Sequence, residues 1–366
     1  MERQKKIVKT SILGIIVNIL LVIFKSIIGF LTNSIAIVVD AINNLTDIIS
    51  SVVTIVGTKL ANKAPDKEHP YGHGRIEYVA SVIVSAIILF AGFGAIKESV
   101  DKIINPAEVK YSAVSIVIVV VAIFVKFFLG RYVKNTGRKV NSQSLIASGQ
   151  DAFMDAVVAI GTLIAAIIHM IWGIGIEGYI GLIIGLIIIK SGLSILKETL
   201  NLMIGLRADK DLTDKIKETI SKYDGVEGTY DLILHNYGPS KTIAAAHIQV
   251  ADDMTAGEIH KLTRTIAQEI FEEFGIFITI GIYAANNKPE FKEMKNELDK
   301  IVDEYDLIKQ VHGFYVDEEN KRIFFDVIID FDCKSPEKVK DEIVNRLCGK
   351  YSDYEFNVII DADISE

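Results

Sequence analysis

Two residue pairs carry the chemistry this sequence suggests first: Asn43 with Asp47, and Asp151 with Asp155. Each pair sets two oxygen-bearing side chains four residues apart, which is one turn along one face of a helix. Each pair also lies inside a long apolar stretch, where an ionisable group is costly and usually marks an ion or proton path. One such carboxylate is as readily a polar contact between helices. Two pairs at the same spacing point instead to four convergent oxygens around a divalent cation. The set holds no imidazole and no thiolate, which tilts the choice from Zn2+ toward Mn2+, with Fe2+ next. Asp40 sits one turn before Asn43 and suits a remote ligand or entry-path charge and a helix cap equally.

A second constellation is Asp66-Lys67-Glu68-His69-Pro70-Tyr71-Gly72-His73-Gly74-Arg75. Asp66, His69 and His73 are close enough in sequence to share one metal, and the glycines let the backbone fold around it. A polar loop with two histidines explains the same residues almost as well.

The elements that must position these residues follow from the distribution of apolar residues. Half of the 366 residues are hydrophobic, too many for one ordinary soluble domain. They crowd the stretch before Arg207, where six segments are each long enough to span a bilayer: Ile7–Leu31, Ser34–Leu60, Ile76–Ile103, Tyr111–Val133, Ser142–Trp172 and Ile176–Leu200. Basic residues alternate between the connections. Arg3, Lys5, Lys6 and Lys9 precede the first span, Lys59, Lys63, Lys67 and Arg75 cluster between the second and third, and Arg131, Lys134, Arg138 and Lys139 between the fourth and fifth. The intervening connections carry few, so both termini are expected in the cytoplasm of a cell inner (plasma) membrane protein. Lys126 is expected to snorkel to that face.

Charge divides the chain at the same place. Residues before Arg207 include 19 Lys and Arg against 13 Asp and Glu, and the remainder 20 against 34. An acidic soluble half does not suggest nucleic acid as a partner; it suits cations or a plain solvated surface. Cys333 and Cys348 are too few for a disulfide framework. No phosphate-binding glycine loop follows a strand and no nucleophile–base pair stands out, so an enzyme is not expected.

The soluble half reads as helix (Asp211–Lys222), strand (Tyr230–Asn236), strand (Thr242–Val250), helix (Thr255–Phe274) and strand (Phe277–Tyr283), a ferredoxin-like α+β order. The pattern then restarts: Lys222-Tyr223-Asp224 has a counterpart in Glu304-Tyr305-Asp306, and His312–Val316, Arg322–Ile329, Ser335–Cys348 and Phe356–Ile360 complete a second copy. The expected organisation is a six-helix transmembrane domain over 1–206, a cytosolic ferredoxin-like domain over 207–286 and a second α+β repeat over 287–366.

These motifs together resemble the cation diffusion facilitator family, divalent-metal/proton antiporters that work as homodimers. The similarity runs from about Lys9 to Ala284 and is most specific in the loop His69-Pro70-Tyr71-Gly72-His73-Gly74-Arg75-Ile76-Glu77. It implies that Asn43, Asp47, Asp151 and Asp155 form the transport site and that Asp66, His69 and His73 form a loop metal site. Asp151 stands where the zinc transporters of the family carry His, and Asn43 joins it, which resembles the manganese-exporting branch. The family's cytosolic domain often holds a binuclear zinc site of His and Asp. Here Tyr230 replaces one of those histidines and Ile282-Tyr283 stands where another is common, leaving His247 and His260, with His235, as metal candidates. His312 takes the strand-opening place in the second repeat, with few ligand types beside it in sequence. That repeat extends beyond the usual family chain, and extra dimer contact is its expected role.

The function expected is Mn2+ efflux from the cytoplasm in exchange for protons, by alternating access across the bilayer. A Fe2+ or broad Zn2+/Co2+/Cd2+ exporter is the alternative within the class. A membrane-anchored metal sensor or scaffold is the rival outside it, disfavoured because an anchor has no use for carboxylates at membrane depth.

Overall fold

A computed structural model of the protein describes residues 2–31, 35–105, 113–172, 176–239, 241–286, 288–362 and 364. The side chains of 28–31, 35–43, 45–46, 113–115, 162, 166, 169–170, 177 and 362 lie outside that description as well. The chain forms two compact units, one of Met1–Gly205 with Tyr237–Ser240 and one of Leu206–Asn236 with Lys241–Glu366.

Among the described residues the first unit is built from six long helices: α1 (Glu2–Leu31), α2 (Ile35–Ala61), α3 (Ile76–Ile104), α4 (Ala113–Lys139), α5 (Gln143–Trp172) and α6 (Glu177–Ile204). Within them, Glu2–Ile27, Ile76–Ile104, Ile116–Lys139 and Gly178–Ile204 are long and apolar enough to cross a membrane. Phe90, Phe93, Phe124 and Phe128 point outward from these helices, as they would toward lipid rather than water. Helix α4 continues past the apolar segment that ends at Val133. Lys and Arg are good helix formers, and the helix stops only before Asn141, whose φ is 49°.

The closest pairings are α1 with α2, α3 with α6, and α4 with α5. The α4–α5 approach is tight because Gly149 has no side chain: a Cβ there would lie 2.4 Å from the backbone nitrogen of Lys134. This contact lays α4 along α5, and one α4 side chain, Lys126, reaches Asp155. Val84, Ile88, Ala147, Ile184 and Ile188 form the buried apolar core nearby.

The second unit contains α7 (Lys210–Ser221), β1 (Gly228–Asn236), β2 (Thr242–Ala251), α8 (Ala256–Phe274) and β3 (Phe277–Ala285), then α9 (Pro289–Val302), β4 (Ile308–Asp317), β5 (Arg322–Ile329), α10 (Pro336–Cys348) and β6 (Glu355–Ala362). Two small mixed sheets result, ordered β1-β2-β3 and β4-β5-β6. In each, the first pair is antiparallel and the third strand runs parallel after a helical crossover. Each sheet has its own apolar core: Ile216, Leu232, Ile248 and Ile266 in one, Leu298, Phe325, Val327 and Ile343 in the other. Helix α9 was not anticipated from sequence. It begins at Pro289 and buries Phe291, Leu298 and Ile301, a helical spacing, and it stands where α7 stands in the first repeat.

The repeats also share an irregularity. Strand β1 slips register between Tyr230 and Ile233, with Asp231 at φ 52°, and β4 slips between His312 and Tyr315, with Gly313 at φ 64°. These bulges re-aim the side chains beside them.

Candidate metal-binding sites

Asp47 on α2 and Asp151 on α5 are each only 9% exposed, and Asp155 follows one turn after Asp151 and is partly buried. Lys126 on α4 reaches between the two helices. Its ammonium donates to Asp47 and, at 2.9 Å, to Asp155 Oδ2. Lys126 is 3% exposed, so it does not snorkel to the surface. Two carboxylates hold it inside because an unpaired charge there would cost several kcal/mol. Asn43 lies on the same helix as Asp47, but its side chain falls outside the described residues, as does that of Asp40.

Asp47 and Asp151 also line a cavity of about 20 Å³, together with Thr10, Ser11, Asn18 and Ser51. That is room for one water-sized occupant. The Oδ1 of Asn18 and the Oγ of Ser11 are buried there without a hydrogen-bond partner among the described residues. Asn18 is a polar residue within the apolar sequence of α1. Its amide oxygen adds a further oxygen donor beside the carboxylates.

In the loop before α3, Asp66, His69 and His73 come together, each offering a ligand atom within 4.8 Å of the others. His69 Nδ1 is 3.2 Å from Asp66 Oδ1, and His73 Nε2 is 3.5 Å from Asp66 Oδ2. Asp66 also accepts from Lys63 Nζ at 2.9 Å and from the backbone N–H of His69 at 2.8 Å. The Lys63 bond, followed by that from His69, holds the Asp66 carboxyl below the usual carboxylate range, so it is ionised and ready to ligate. His73 is nearly buried, and its Nδ1 has no hydrogen-bond partner among the described residues.

Residues 11–204 match the family model for the cation efflux transmembrane domain, and residues 208–282 match that for the cytoplasmic domain of cation efflux proteins. The chain belongs to the cation diffusion facilitator family. It is 31% identical over 282 residues to the manganese efflux system protein MneS of Bacillus subtilis, covering 75% of this chain and 96% of that one. It is 30% identical over 259 residues to an uncharacterized transporter of Methanocaldococcus jannaschii, covering 71% and 91%. To the cadmium, cobalt and zinc/H(+)-K(+) antiporter of Bacillus subtilis it is 26% identical over 260 residues, covering 70% and 83%. This cation diffusion facilitator is thus a divalent metal cation efflux transporter of the membrane, and its family is one of transporters rather than of enzymes.

The cytoplasmic histidines of this facilitator part company. His260 is exposed on α8 and joins no metal-ligating cluster among the described residues. His247 on β2 lies with its Nδ1 2.8 Å from Asp231 Oδ2. Tyr283 donates its hydroxyl to that same oxygen at 2.7 Å and to Asp326 Oδ2 at 2.9 Å. The hydrogen bond to Asp231 raises the His247 pKa. Burial alone would raise the Asp231 carboxyl, but its hydrogen bonds, led by that from His247, outweigh burial and hold it low. His312 on β4 enters the same cluster and stacks on the Tyr230 ring at 5.2 Å. Its ligand neighbours come from other strands, which is why the sequence around it gave little signal.

Proposed function

We propose that the protein exports Mn2+ from the cytoplasm in exchange for protons, with Asn43, Asp47, Asp151 and Asp155 as the transport site. The observation that carries this reading is the ion pair of Lys126 with Asp47 and Asp155: the polar centre of the helical unit is already organised around a cation. Asp47, Asp151 and Asp155 outnumber the one ammonium and leave negative charge for a divalent ion. A metal that takes Asp47 and Asp155 must displace the ammonium, and the ammonium on its return expels the metal. Carboxylates ligate only when deprotonated, so entry of metal also releases protons, and an inward proton gradient drives export.

In this reading all six long helices span the bilayer, as domain 1–206, with both termini in the cytoplasm. The 207–286 and 287–366 repeats are ferredoxin-like modules in the cytosol, the protein works as a homodimer, and Asp66, His69 and His73 hold a second ion. An all-oxygen transport set favours Mn2+, and the relative named as a manganese efflux protein agrees with it.

Proteoliposome flux of Mn2+, Fe2+ and Zn2+ is the test. Mn2+ flux is expected to dominate and to fall at least about tenfold in Asp47→Ala and Asp155→Ala, since each removes a charged ligand. Unchanged flux in both variants would remove the quartet from the transport path. The broad zinc, cobalt and cadmium reading is favoured by the third relative's name. Asp151→His separates the two: it shifts preference toward Zn2+ if Mn2+ is the native ion and leaves preference unchanged if the site is already broad.

A further inference from the structure

The cavity beside Asp47 and Asp151 is lined by three same-face pairs from three helices: Ser11 with Asn18 on α1, Asp47 with Ser51 on α2, and Ser148 with Asp151 on α5. On each helix the hydroxyl lies toward the same end of the unit. Ser11 precedes Asn18 and Ser148 precedes Asp151, while Ser51 follows Asp47 on a helix that runs the other way. At that end Arg3 of α1 donates to Glu77 at the start of α3 and to the carbonyl of Asn141 before α5. Helix α2 finishes there too, with Gly57 packed on Ala80 of α3. The transport reading makes this the cytoplasmic end, so the cavity lies between the carboxylates and the cytoplasm.

Two of the lining oxygens lack a partner. Asn18 is 2% exposed and Ser11 3%, and neither Asn18 Oδ1 nor Ser11 Oγ has a hydrogen bond among the described residues. A buried polar atom left so costs about 1–3 kcal/mol unless an occupant satisfies it. A water would meet the oxygens, but the charge nearby calls for a cation. Lys126 donates to Asp47 Oδ2 and to Asp155, which leaves Asp47 Oδ1 open, and among the described residues no ion pair reaches Asp151. With all three carboxylates ionised, a divalent cation in the cavity and the one ammonium together make the group neutral.

We infer that this cavity is a loading site for a hard divalent cation such as Mn2+, in which Asn18 Oδ1 and the Ser11 hydroxyl join Asp47 and Asp151 as ligands before the ion passes to Asp155. Its place on the path rests on the transport reading; its occupancy does not. Amide and hydroxyl oxygens raise the coordination number without adding charge, which suits the six oxygen ligands of Mn2+ better than tetrahedral Zn2+. Lys126 and Asp155 stand outside the cavity lining. The ion therefore binds while their pair is intact, and transfer to Asp155 then displaces the ammonium. Loading and displacement are separate steps, and α1 takes part in the first.

The experiment counts Mn2+ bound to the full chain in detergent by equilibrium dialysis. His69→Ala and His73→Ala silence the loop. Lys126→Met with Asp155→Ala removes the ammonium and one of its partners together, so the transport set is incomplete while the net charge around the cavity is unchanged. In this background an equivalent of Mn2+ should bind that Asn18→Leu weakens at least about tenfold and Asn18→Asp, which keeps an oxygen at that place, retains. The electron spin echo of that equivalent should lack the nitrogen modulation of an imidazole ligand. Ser11→Ala removes a single hydroxyl; it should weaken binding severalfold, and it decides the matter if Asn18→Leu does not elute as folded protein. Binding that Asn18→Leu leaves unchanged, or an Asn18-dependent equivalent that carries nitrogen modulation, would overturn the site and leave water alone in the cavity. Binding as weak in Asn18→Asp as in Asn18→Leu would make Asn18 a packing residue and overturn it too. No flux is read here, so failure of the transport reading shows separately, as unchanged Mn2+ flux in Asp47→Ala and Asp155→Ala.

Discussion

Lys126 concentrates the residue-scale question of this transporter. Each ammonium–carboxylate pair gains on the order of 4 kcal/mol even at a separation of about 4 Å and an effective dielectric of 20, before desolvation is subtracted. Removal of the ammonium leaves its carboxylates free for metal. Lys126→Met is therefore expected to lower the apparent KM for Mn2+ by about tenfold, equal to about 1.4 kcal/mol, while slowing turnover because nothing expels the ion. Flux at varied Mn2+ measures both, and unchanged values would take the ammonium out of the cycle. Asn18 is the second case. Asn18→Leu removes the unpartnered oxygen and fills the cavity beside Asp47 and Asp151, so Mn2+ flux should fall severalfold with the fold intact by size-exclusion elution. Of these groups, the carboxylates were legible in sequence because their one-turn spacing is local. Lys126 was not, because its partners lie 79 and 29 residues away.

At the scale of elements, helix contacts and caps decide what the residues can reach. Gly149 lets α4 rest on α5, and a Cβ there would strike backbone rather than a movable side chain. Gly149→Leu should push Lys126 away from Asp155 and cost at least 1–3 kcal/mol by overpacking, on the order of other such substitutions; a lower thermal midpoint together with lost flux is the expected pair of readings. In the cytoplasmic unit, α8 begins with a capping box of Thr255 and Glu258. The hydroxyl of Thr255, then its backbone N–H, holds the Glu258 carboxyl below its ordinary value of 4.5. A lowered folded pKa means the stabilisation is present above 4.5 and is lost as pH falls through the folded value. Glu258→Gln should therefore destabilise the cytoplasmic unit at neutral pH and lose that effect in acid, as followed by hydrogen exchange of α8. Helix α9 escaped the sequence reading because a proline and asparagines before it read as a linker. Its apolar spacing at Phe291, Leu298 and Ile301 was the available signal.

For the whole molecule, the division of labour is the main prediction. The family models match residues 11–204 and 208–282, and the second repeat lies beyond both. A chain truncated after Ala285 should still transport Mn2+ at a rate within about twofold of the full chain in proteoliposomes. The twofold bound corresponds to only about 0.4 kcal/mol in the barrier, which is what absence of a direct role permits. A loss of transport with retained folding would make the second repeat part of the transport cycle.

Sequence alone determined the membrane half, the acidic soluble half, the tandem repeat and the paired oxygens, because hydropathy, helical spacing and self-similarity are properties of neighbours along the chain. It also carried the loop of Asp66, His69 and His73, whose candidate ligand groups lie within eight consecutive residues. Tertiary structure alone decided that Lys126 pairs with Asp47 and Asp155, that Asn18 faces their cavity, and that His312 meets Asp231 and Asp361. Those contacts depend on which helices and sheets lie side by side. Returning to Asn43–Asp47 and Asp151–Asp155, the sequence set the charges on two helix faces, and packing added the third helix whose lysine answers them.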